Sequence, residues 1–191
     1  MKTLAVSRTQ YYTASSLDGF IADPDNSLEW LFTRRRDEHG PLNYGDFIAD
    51  AGAMAMGATS YEWILDHEFG GKEVEDWNWP YEIPCWVFTH RELPVVPEAS
   101  ITFTSGDVAP VHEQMVAAAG RRNVWIVGGG DLVGQFADVG LLDEVIVQFA
   151  PVMLGGGAPL LPRRLELGLE ETARNGDFVC ARLSVVRPLE E

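Results

Sequence analysis

The stretch Asn123-Val124-Trp125-Ile126-Val127-Gly128-Gly129-Gly130-Asp131-Leu132-Val133-Gly134-Gln135-Phe136 decides the fold. Its apolar, β-branched first part predicts a buried strand, and the spacing of Leu132, Val133 and Phe136 predicts a helix after the glycines. Glycines at this junction expose bare backbone N–H groups at a helix N-terminus, where an anion is favoured. We interpret the stretch as a phosphate-binding turn; the alternative is that the glycines only allow a sharp strand-to-helix turn.

The glycine spacing by itself matches no standard nucleotide motif. A dinucleotide fingerprint beginning at Gly128 would need a glycine where Val133 stands, and no Lys-Ser or Lys-Thr follows as in a P-loop. A second run, Gly155-Gly156-Gly157, ends another apolar strand predicted over 142–154. Ligands of open α/β sheets bind at the carboxyl ends of the strands, so both glycine runs indicate that edge.

Composition limits the class of protein. The 191 residues, 46% of them hydrophobic, predict one compact domain over 1–191. With 14 basic and 29 acidic residues, the net charge of −15 argues against nucleic acid or an anionic membrane as partner. The sequence contains no apolar run of membrane-spanning length and no signal core, so a cytoplasmic location is expected.

Cysteine and histidine usage predicts no metal site. Cys85 and Cys180 stand far apart in apolar runs, which favours buried free thiols over a disulfide. The four histidines are scattered without metal-ligand spacing. A deaminase zinc site would also need a Pro-Cys-x-x-Cys motif, which is absent.

Strands and helices alternate along the chain. Predicted strands cover 8–14, 53–56, 85–89, 101–104 and 142–154, and Asn175-Gly176 predicts a hairpin turn between 167–173 and 178–186. Predicted helices cover 44–51, ended by Gly52, then 59–66, and 107–119 with Asp107 as cap. The pattern predicts a mixed sheet with helices on both faces.

Five segments in a fixed order carry a family resemblance. They are Ala14-Ser15-Ser16-Leu17-Asp18-Gly19-Phe20-Ile21-Ala22, Met56-Gly57-Ala58-Thr59-Ser60-Tyr61-Glu62, Val87-Phe88-Thr89-His90-Arg91, Ile126-Val127-Gly128-Gly129-Gly130-Asp131-Leu132 and Pro151-Val152-Met153-Leu154-Gly155-Gly156-Gly157-Ala158-Pro159-Leu160. Together they resemble the dihydrofolate reductase superfamily, in the branch of the reductase domain of riboflavin-biosynthesis deaminase-reductases and its stand-alone homologues. The resemblance implies a three-layer α/β/α fold with a mixed, mainly parallel central sheet and a C-terminal antiparallel hairpin.

The same resemblance implies that NADPH is the cofactor. The matching turn and helix start would receive the diphosphate (Val127, Gly128, Gly129, Gly130, Asp131, Leu132), and a second helix start would add donors (Gly57, Ala58, Thr59, Ser60). Segments bordering the nicotinamide match Ala14, Leu17, Asp18, Gly19 and Ile21. Family members often carry Arg or Lys where this chain has Ala58, so Thr89, His90 and Arg91 are the expected contacts of the 2′-phosphate.

The implied activity is hydride transfer to a small pterin- or pyrimidine-like heterocycle or a carbonyl compound. Trp30 matches a position in the mobile loop of the family and either contacts the substrate or only covers the core, and Tyr44 is a weaker candidate for substrate contact. The acid of authentic dihydrofolate reductases would fall near Pro41 or Leu42, so folate reduction is not expected. Asp46 and Asp50, one helical turn apart, are the candidate catalytic proton donors, unless both face solvent.

Several alternatives stay open. Arg34-Arg35-Arg36 form either a solvated charge run or an anion contact. The tryptophans form either a pocket wall or core and dimer packing (Trp63, Trp77, Trp79, Trp86). The alternative function is an NADP-binding protein without turnover. Relatives implied by the resemblance are frequently homodimers, so a homodimer is expected.

Overall fold

The computed structural model of the protein describes residues 7–189. The elements follow in chain order: β1 Thr9–Ser16, β2 Phe20–Ala22, α1 Glu29–Phe32, α2 Tyr44–Asp50, β3 Ala51–Gly57, α3 Ala58–Phe69, β4 Cys85–Phe88, β5 Ile101–Thr104, α4 Val108–Ala119, β6 Asn123–Gly128, α5 Gly130–Asp138, β7 Glu144–Ala150, β8 Ala158–Pro159, β9 Leu165–Asn175 and β10 Phe178–Pro188.

A central sheet of eight strands has the order β5-β4-β3-β6-β1-β7-β10-β9. The strands from β5 to β7 pair in parallel, whereas β10 runs antiparallel to both β7 and β9. The short strands β2 and β8 pair separately. The expected mixed, mainly parallel sheet with a C-terminal antiparallel pair is confirmed, and it brings the carboxyl ends of β3, β4, β5 and β6 to one edge.

The sheet is covered on both faces because its central strands are apolar on both sides. In β6, Val124 and Ile126 pack into one core with α4 and α5, while Trp125 and Val127 face a second core with α2 and α3. This alternation follows the two-residue period of a strand. The three-layer α/β/α architecture is therefore confirmed.

The predicted C-terminal hairpin is present, but its turn lies one residue later than the sequence predicts. Asn175-Gly176 is not the centre of the hairpin turn, because Asn175 already pairs with Phe178 and leaves Gly176 and Asp177 as the turn. The Asn175 amide is fully buried and donates to the carbonyls of Asp37 and Pro41, so it anchors the preceding loop instead. A buried amide needs hydrogen-bond partners, and these two carbonyls supply them.

Helix boundaries also differ in detail. Asp107 occupies the N-cap position of α4, but its side chain makes no capping hydrogen bond. Gly52 lies within β3 and does not end α2, whose last residue is Asp50. The strand predicted over 142–154 is shorter, Glu144–Ala150, because Pro151 cannot continue the ladder.

Candidate functional site

A cavity of about 760 Å³ opens at the carboxyl edge of the sheet. Its floor includes the ends of β3, β4 and β6, with Gly57, Thr89 and Gly129, and the segment 21–32 forms the opposite wall. The volume lies within the range of small-molecule and cofactor sites, roughly 300–1,000 Å³. The topology thus produces the ligand-sized cleft expected at this edge.

The N-terminus of α5 opens into the cavity. Gly129 is the N-cap residue, no side chain caps the helix, and a Cβ atom built at Gly129 would meet nothing within 4 Å. The first amides of a helix have no partner within the helix and favour an anion. Gly129 therefore leaves open space beside uncapped backbone donors.

An acidic side chain stands in the same turn. Asp131 lines the cavity, and hydrogen bonds from Gln135 and then Arg163 lower the pKa of its carboxyl. The Arg163 guanidinium lies 3.1 Å from Asp131 and also contacts Asp138 at 2.9 Å. The Asp131 carboxylate is thus ionised, and the nearby Arg163 guanidinium partly neutralises its negative charge. This limits the repulsion between Asp131 and a bound anion.

A second uncapped helix start borders the same cavity. Gly57 is the N-cap of α3, again without a side-chain cap, and the cavity lining continues through Ala58, Thr59 and Ser60. The two hydroxyls add donors to the backbone amides. Two helix N-termini converging on one cleft favour a ligand with more than one anionic group.

The glycines on either side of Gly129 shape the turn. A Cβ atom on Gly130 would lie 2.3 Å from the carbonyl oxygen of Pro159 and 2.6 Å from that of Leu160. Gly128 has a φ of 134°, a conformation that side-chain-bearing residues avoid, and the Gly128–Gly129 peptide is cis. Gly128 and Gly130 are thus needed for the turn itself, whereas the phosphate-binding interpretation of Gly129 stays a prediction.

The loop after β1 is hydrogen-bonded to the start of the glycine run 155–157. Asp18 accepts hydrogen bonds from the backbone amides of Leu154 at 3.1 Å and Gly155 at 2.7 Å, and from the Ser16 hydroxyl at 2.6 Å. The Ser16 hydrogen bond, followed by those amides, lowers the pKa of the Asp18 carboxyl to about 2. Ile21 lines the cavity, whereas the other residues predicted beside the nicotinamide lie outside its lining (Ala14, Leu17, Asp18, Gly19).

Aromatic side chains wall the other half of the cavity. The rings of Tyr44 and Tyr81 each lie 5.9 Å from that of Trp125, and the Tyr12 ring lies 6.0 Å from Tyr44. Burial raises the pKa of Tyr44, and the neighbouring Tyr81 hydroxyl raises it further. Burial likewise raises the pKa of Tyr81. A hydrogen bond between the Tyr44 and Tyr81 hydroxyls uses one of their two protons, so the protonated pair offers one donor to the cavity.

The predicted acids lie elsewhere. Asp46 and Asp50 are exposed and border a separate pocket of about 210 Å³. Asp46 instead accepts a hydrogen bond from the Asn43 amide at 2.8 Å, at the start of α2. The expectation that one of them faces the ligand cavity is wrong, because it is Tyr44 of the same helix that points there.

Trp30 also lies outside the cavity lining. It packs with Leu31 and Leu42 against the small core of Ala150, Phe178 and Cys180. Its indole N–H donates to the carbonyl of Ser27 at 3.2 Å. Trp30 thus holds the segment that forms the cavity wall, instead of facing the cavity.

The basic residues near the cleft have other partners. Arg91 forms two hydrogen bonds with the Glu62 carboxylate, at 3.0 and 2.8 Å, and does not line the cavity, whereas Thr89 and His90 do. Arg34 donates to the Trp30 carbonyl, and Arg36 lies over the Phe178 ring. The arginine run thus packs toward the C-terminal hairpin.

Sequence reasoning missed much of the lining. The additional lining residues are Tyr12, Thr13, Ala22, Asn26, Leu28, Leu31, Phe32, Ile64, Tyr81, Phe88, Ser105, Gly106, Trp125, Gln135 and Ala158. Ser105-Gly106 directly follows β5 at the ligand edge, so the sheet-edge rule could have found it. Trp63 forms part of the wall, whereas Trp79 and Trp86 are buried in the core.

Over residues 7–189 the structure contains no group of three or more metal-ligating side chains. Cys85 and Cys180 are buried free thiols. No helix in this part of the chain is long and apolar enough to cross a membrane.

A family model for the RibD C-terminal domain matches residues 78–173. The chain belongs to this family. One relative is the uncharacterized protein YwjB of Bacillus subtilis. It is 31% identical over 176 residues, which cover 90% of this chain and 94% of YwjB. The riboflavin biosynthesis protein RibD of Mycobacterium tuberculosis is 28% identical over 75% of this chain, but only 42% of RibD is matched.

Solved structures of RibD-like proteins share the fold. A protein of Shewanella sp. PV-4 provisionally named for riboflavin biosynthesis superposes with a TM-score of 0.76 at 22% identity, covering 94% of this chain and 99% of its own. A Thermotoga maritima diaminohydroxyphosphoribosylaminopyrimidine deaminase/5-amino-6-(5-phosphoribosylamino)uracil reductase gives 0.60 at 16% identity, over 96% of this chain and 57% of its own. The family resemblance and the dihydrofolate reductase-like fold are both confirmed.

Proposed function

We propose that the protein is an NADPH-dependent reductase that transfers hydride to a small heterocyclic, pterin- or pyrimidine-like, or carbonyl substrate. The observation that carries this proposal is the single cavity in which two uncapped helix N-termini meet an aromatic wall. The reductase named for the Thermotoga neighbour and the matched part of RibD add support from the family. The location is proposed to be cytoplasmic and the protein a homodimer.

The residues present fit a dinucleotide diphosphate. Gly129 offers backbone donors beside open space, because no side chain occupies the position of its Cβ atom. Thr59 and Ser60 would add hydroxyl donors from the start of α3. These groups would hold the diphosphate without a lysine, which agrees with the absence of a P-loop motif.

Selectivity for a 2′-phosphate would rest on few groups. Ala58 offers no charge, and the Arg91 guanidinium is held by Glu62. Thr89 and His90 remain at the lining, and Arg91 could contribute only by leaving its carboxylate partner. We therefore expect NADPH to be preferred over NADH by a modest factor.

Bound NADPH would supply the hydride, while the protein aligns the two reactants and excludes water. The hydrogen-bonded pair Tyr44 and Tyr81 lines the cavity and would donate its free hydroxyl proton to the heteroatom of the reduced C=N or C=O bond. Such a donor stabilises negative charge that develops during hydride addition. Asp46 and Asp50 are given no part in this step, because they border another pocket.

The test is titration of the protein with NADPH and with NADH, monitored by cofactor fluorescence, followed by oxidation at 340 nm with pterins, pyrimidines and quinones. Saturable NADPH binding and acceptor-dependent oxidation are expected. Binding without oxidation by any acceptor would favour an NADP-binding protein without turnover. No binding of either nucleotide would refute both functions.

A further inference from the structure

The charge of the cavity lining is unusual for a site that binds phosphorylated compounds. Among the described lining residues, neither lysine nor arginine is present. Apart from the tyrosines, the described lining includes one histidine, His90, just after β4, and one carboxylate, Asp131, at the start of α5. Both stand at the strand-end half of the cavity, where the uncapped helices converge.

The aromatic half is built for a flat ring. Tyr44 and Tyr81 meet Trp125 edge-on, with centroids 5.9 Å apart. Across the cleft, Phe32 of α1 stacks on Trp63 of α3 with centroids 6.1 Å apart and planes 24° apart. Aromatic faces and edges contact planar conjugated molecules over a large area, and the phenol hydroxyls add directional donors.

Nearby guanidinium groups are committed to carboxylates. Arg91 is paired with Glu62, and Arg163 lies between Asp131 and Asp138. An anionic substituent in the aromatic half would meet no lysine or arginine among the described lining residues, and the net charge of −15 would repel it. The lining thus disfavours a phosphate or sulfonate on the acceptor ring.

We propose that the acceptor is an uncharged, planar conjugated carbonyl or imine compound, such as a quinone or an unphosphorylated pterin, and that acceptors with an anionic ring substituent are rejected. This proposal rests on the reductase function above. The acceptor would gain a hydride from NADPH and a proton from water, and the cofactor would be oxidised by two electrons to NADP⁺. Tyr44 and Tyr81 would bind the acceptor oxygen or nitrogen.

The test compares 2-methyl-1,4-naphthoquinone with 1,4-naphthoquinone-2-sulfonate, which share a ring and differ in the charge of one substituent. With NADPH, and after subtraction of the rate without protein, kcat/KM should be roughly 100-fold higher for the methyl compound. Because sulfonation makes the quinone a stronger oxidant, intrinsic reactivity works against this result. Equal values, or a preference for the sulfonate, would overturn the proposal.

A measurement of acceptor binding in the absence of turnover distinguishes failure of this acceptor proposal from failure of the proposed reductase function. Tryptophan fluorescence in the presence of NADP⁺ should be quenched by the methyl compound at concentrations at which the sulfonate has no effect. If NADPH binds and neither quinone does, the acceptor class is wrong while the nucleotide site stands. If NADPH itself does not bind, the proposed function fails.

A further test adds a positive charge to the cavity at Leu28, which lines the cavity and does not belong to the hydrophobic core clusters. Leu28→Arg should increase affinity for the sulfonate roughly 10-fold by supplying a counter-ion. Val139→Arg adds the same charge at an exposed position after α5 and should have no effect. Equal gains in the two variants would attribute the selectivity to net charge and refute the role of the cavity.

Discussion

Replacing Gly129 with Asp should weaken NADPH binding while the protein stays folded. Gly129 has φ −71° and ψ 177°, which any residue adopts, and a Cβ atom there meets nothing within 4 Å. Asp is also among the preferred N-cap residues. We therefore expect the free energy of unfolding to change by no more than about 0.5 kcal/mol.

The loss of affinity follows from charge. A carboxylate about 4 Å from a bound phosphate would cost about 1 kcal/mol in water and about 4 kcal/mol at the effective dielectric constant near a protein surface. The dissociation constant for NADPH should therefore rise about 5- to 1,000-fold. Gly129→Asn is the matched control, because Asn has the same shape as Asp and caps helices equally well without the charge.

The assay is titration by cofactor fluorescence for both variants, with urea denaturation to measure their stability. The difference between the Asp and Asn variants isolates the charge, since steric effects are common to both. Equal NADPH affinity in the two folded variants would refute the assignment of the diphosphate to the start of α5. A large loss of stability in both would instead contradict the open space at Gly129.

Gly130→Ala should reduce the free energy of unfolding by about 1–3 kcal/mol, because its Cβ atom would lie 2.3 Å from the Pro159 carbonyl oxygen, whereas Gly129→Ala should be nearly neutral in the same urea denaturation experiment. Asp18→Asn should lower the melting temperature at pH 7. Because the pKa of the Asp18 carboxyl is lowered to about 2, its stabilising contribution is present above about pH 4 and is lost as the pH falls toward 2. The melting temperatures of the two proteins should therefore converge below pH 4. A difference that stays constant with pH would contradict this account. Tyr44→Phe and Tyr81→Phe should each lower kcat with the accepted substrate, roughly 100-fold for a lost hydrogen-bond donor, and leave NADPH affinity unchanged. Tyr61→Phe is the control, since that hydroxyl donates to Pro94 outside the cavity and its loss should leave kcat unaltered.

The relation between sequence and site is clearest at the three glycines. The apolar run, the glycines and the helical spacing were sufficient to predict the strand, the turn and the helix. They could not distinguish the roles of the glycines, because the Pro159 and Leu160 carbonyls that exclude a side chain at Gly130 come from a remote loop. The open space beside Gly129 likewise depends on where that loop passes.

Residues on the predicted helix at 44–51 show a similar limit. Asp46 and Asp50 were predicted as proton donors because hydride addition needs a proton. In the structure, Tyr44 lines the cavity and both carboxylates are exposed. The spacing of Tyr44, Phe47 and Ile48 already indicates the buried face of this helix, and Asp46 and Asp50 lie off that face. The hydrophobic period was thus a better guide to the rotation than the search for a proton donor.

By itself the sequence determined the order of the longer strands and helices, the sheet edge that carries the glycine turns and the family to which the chain belongs, but not the short elements β2, α1 and β8. These depend on local spacing and on residues adjacent in the chain. Only the tertiary structure decided that Tyr44, Tyr81 and Trp125 share one wall, and that Arg91 is occupied by Glu62. Those contacts join residues far apart in sequence, and they depend on how the layers pack around the sheet.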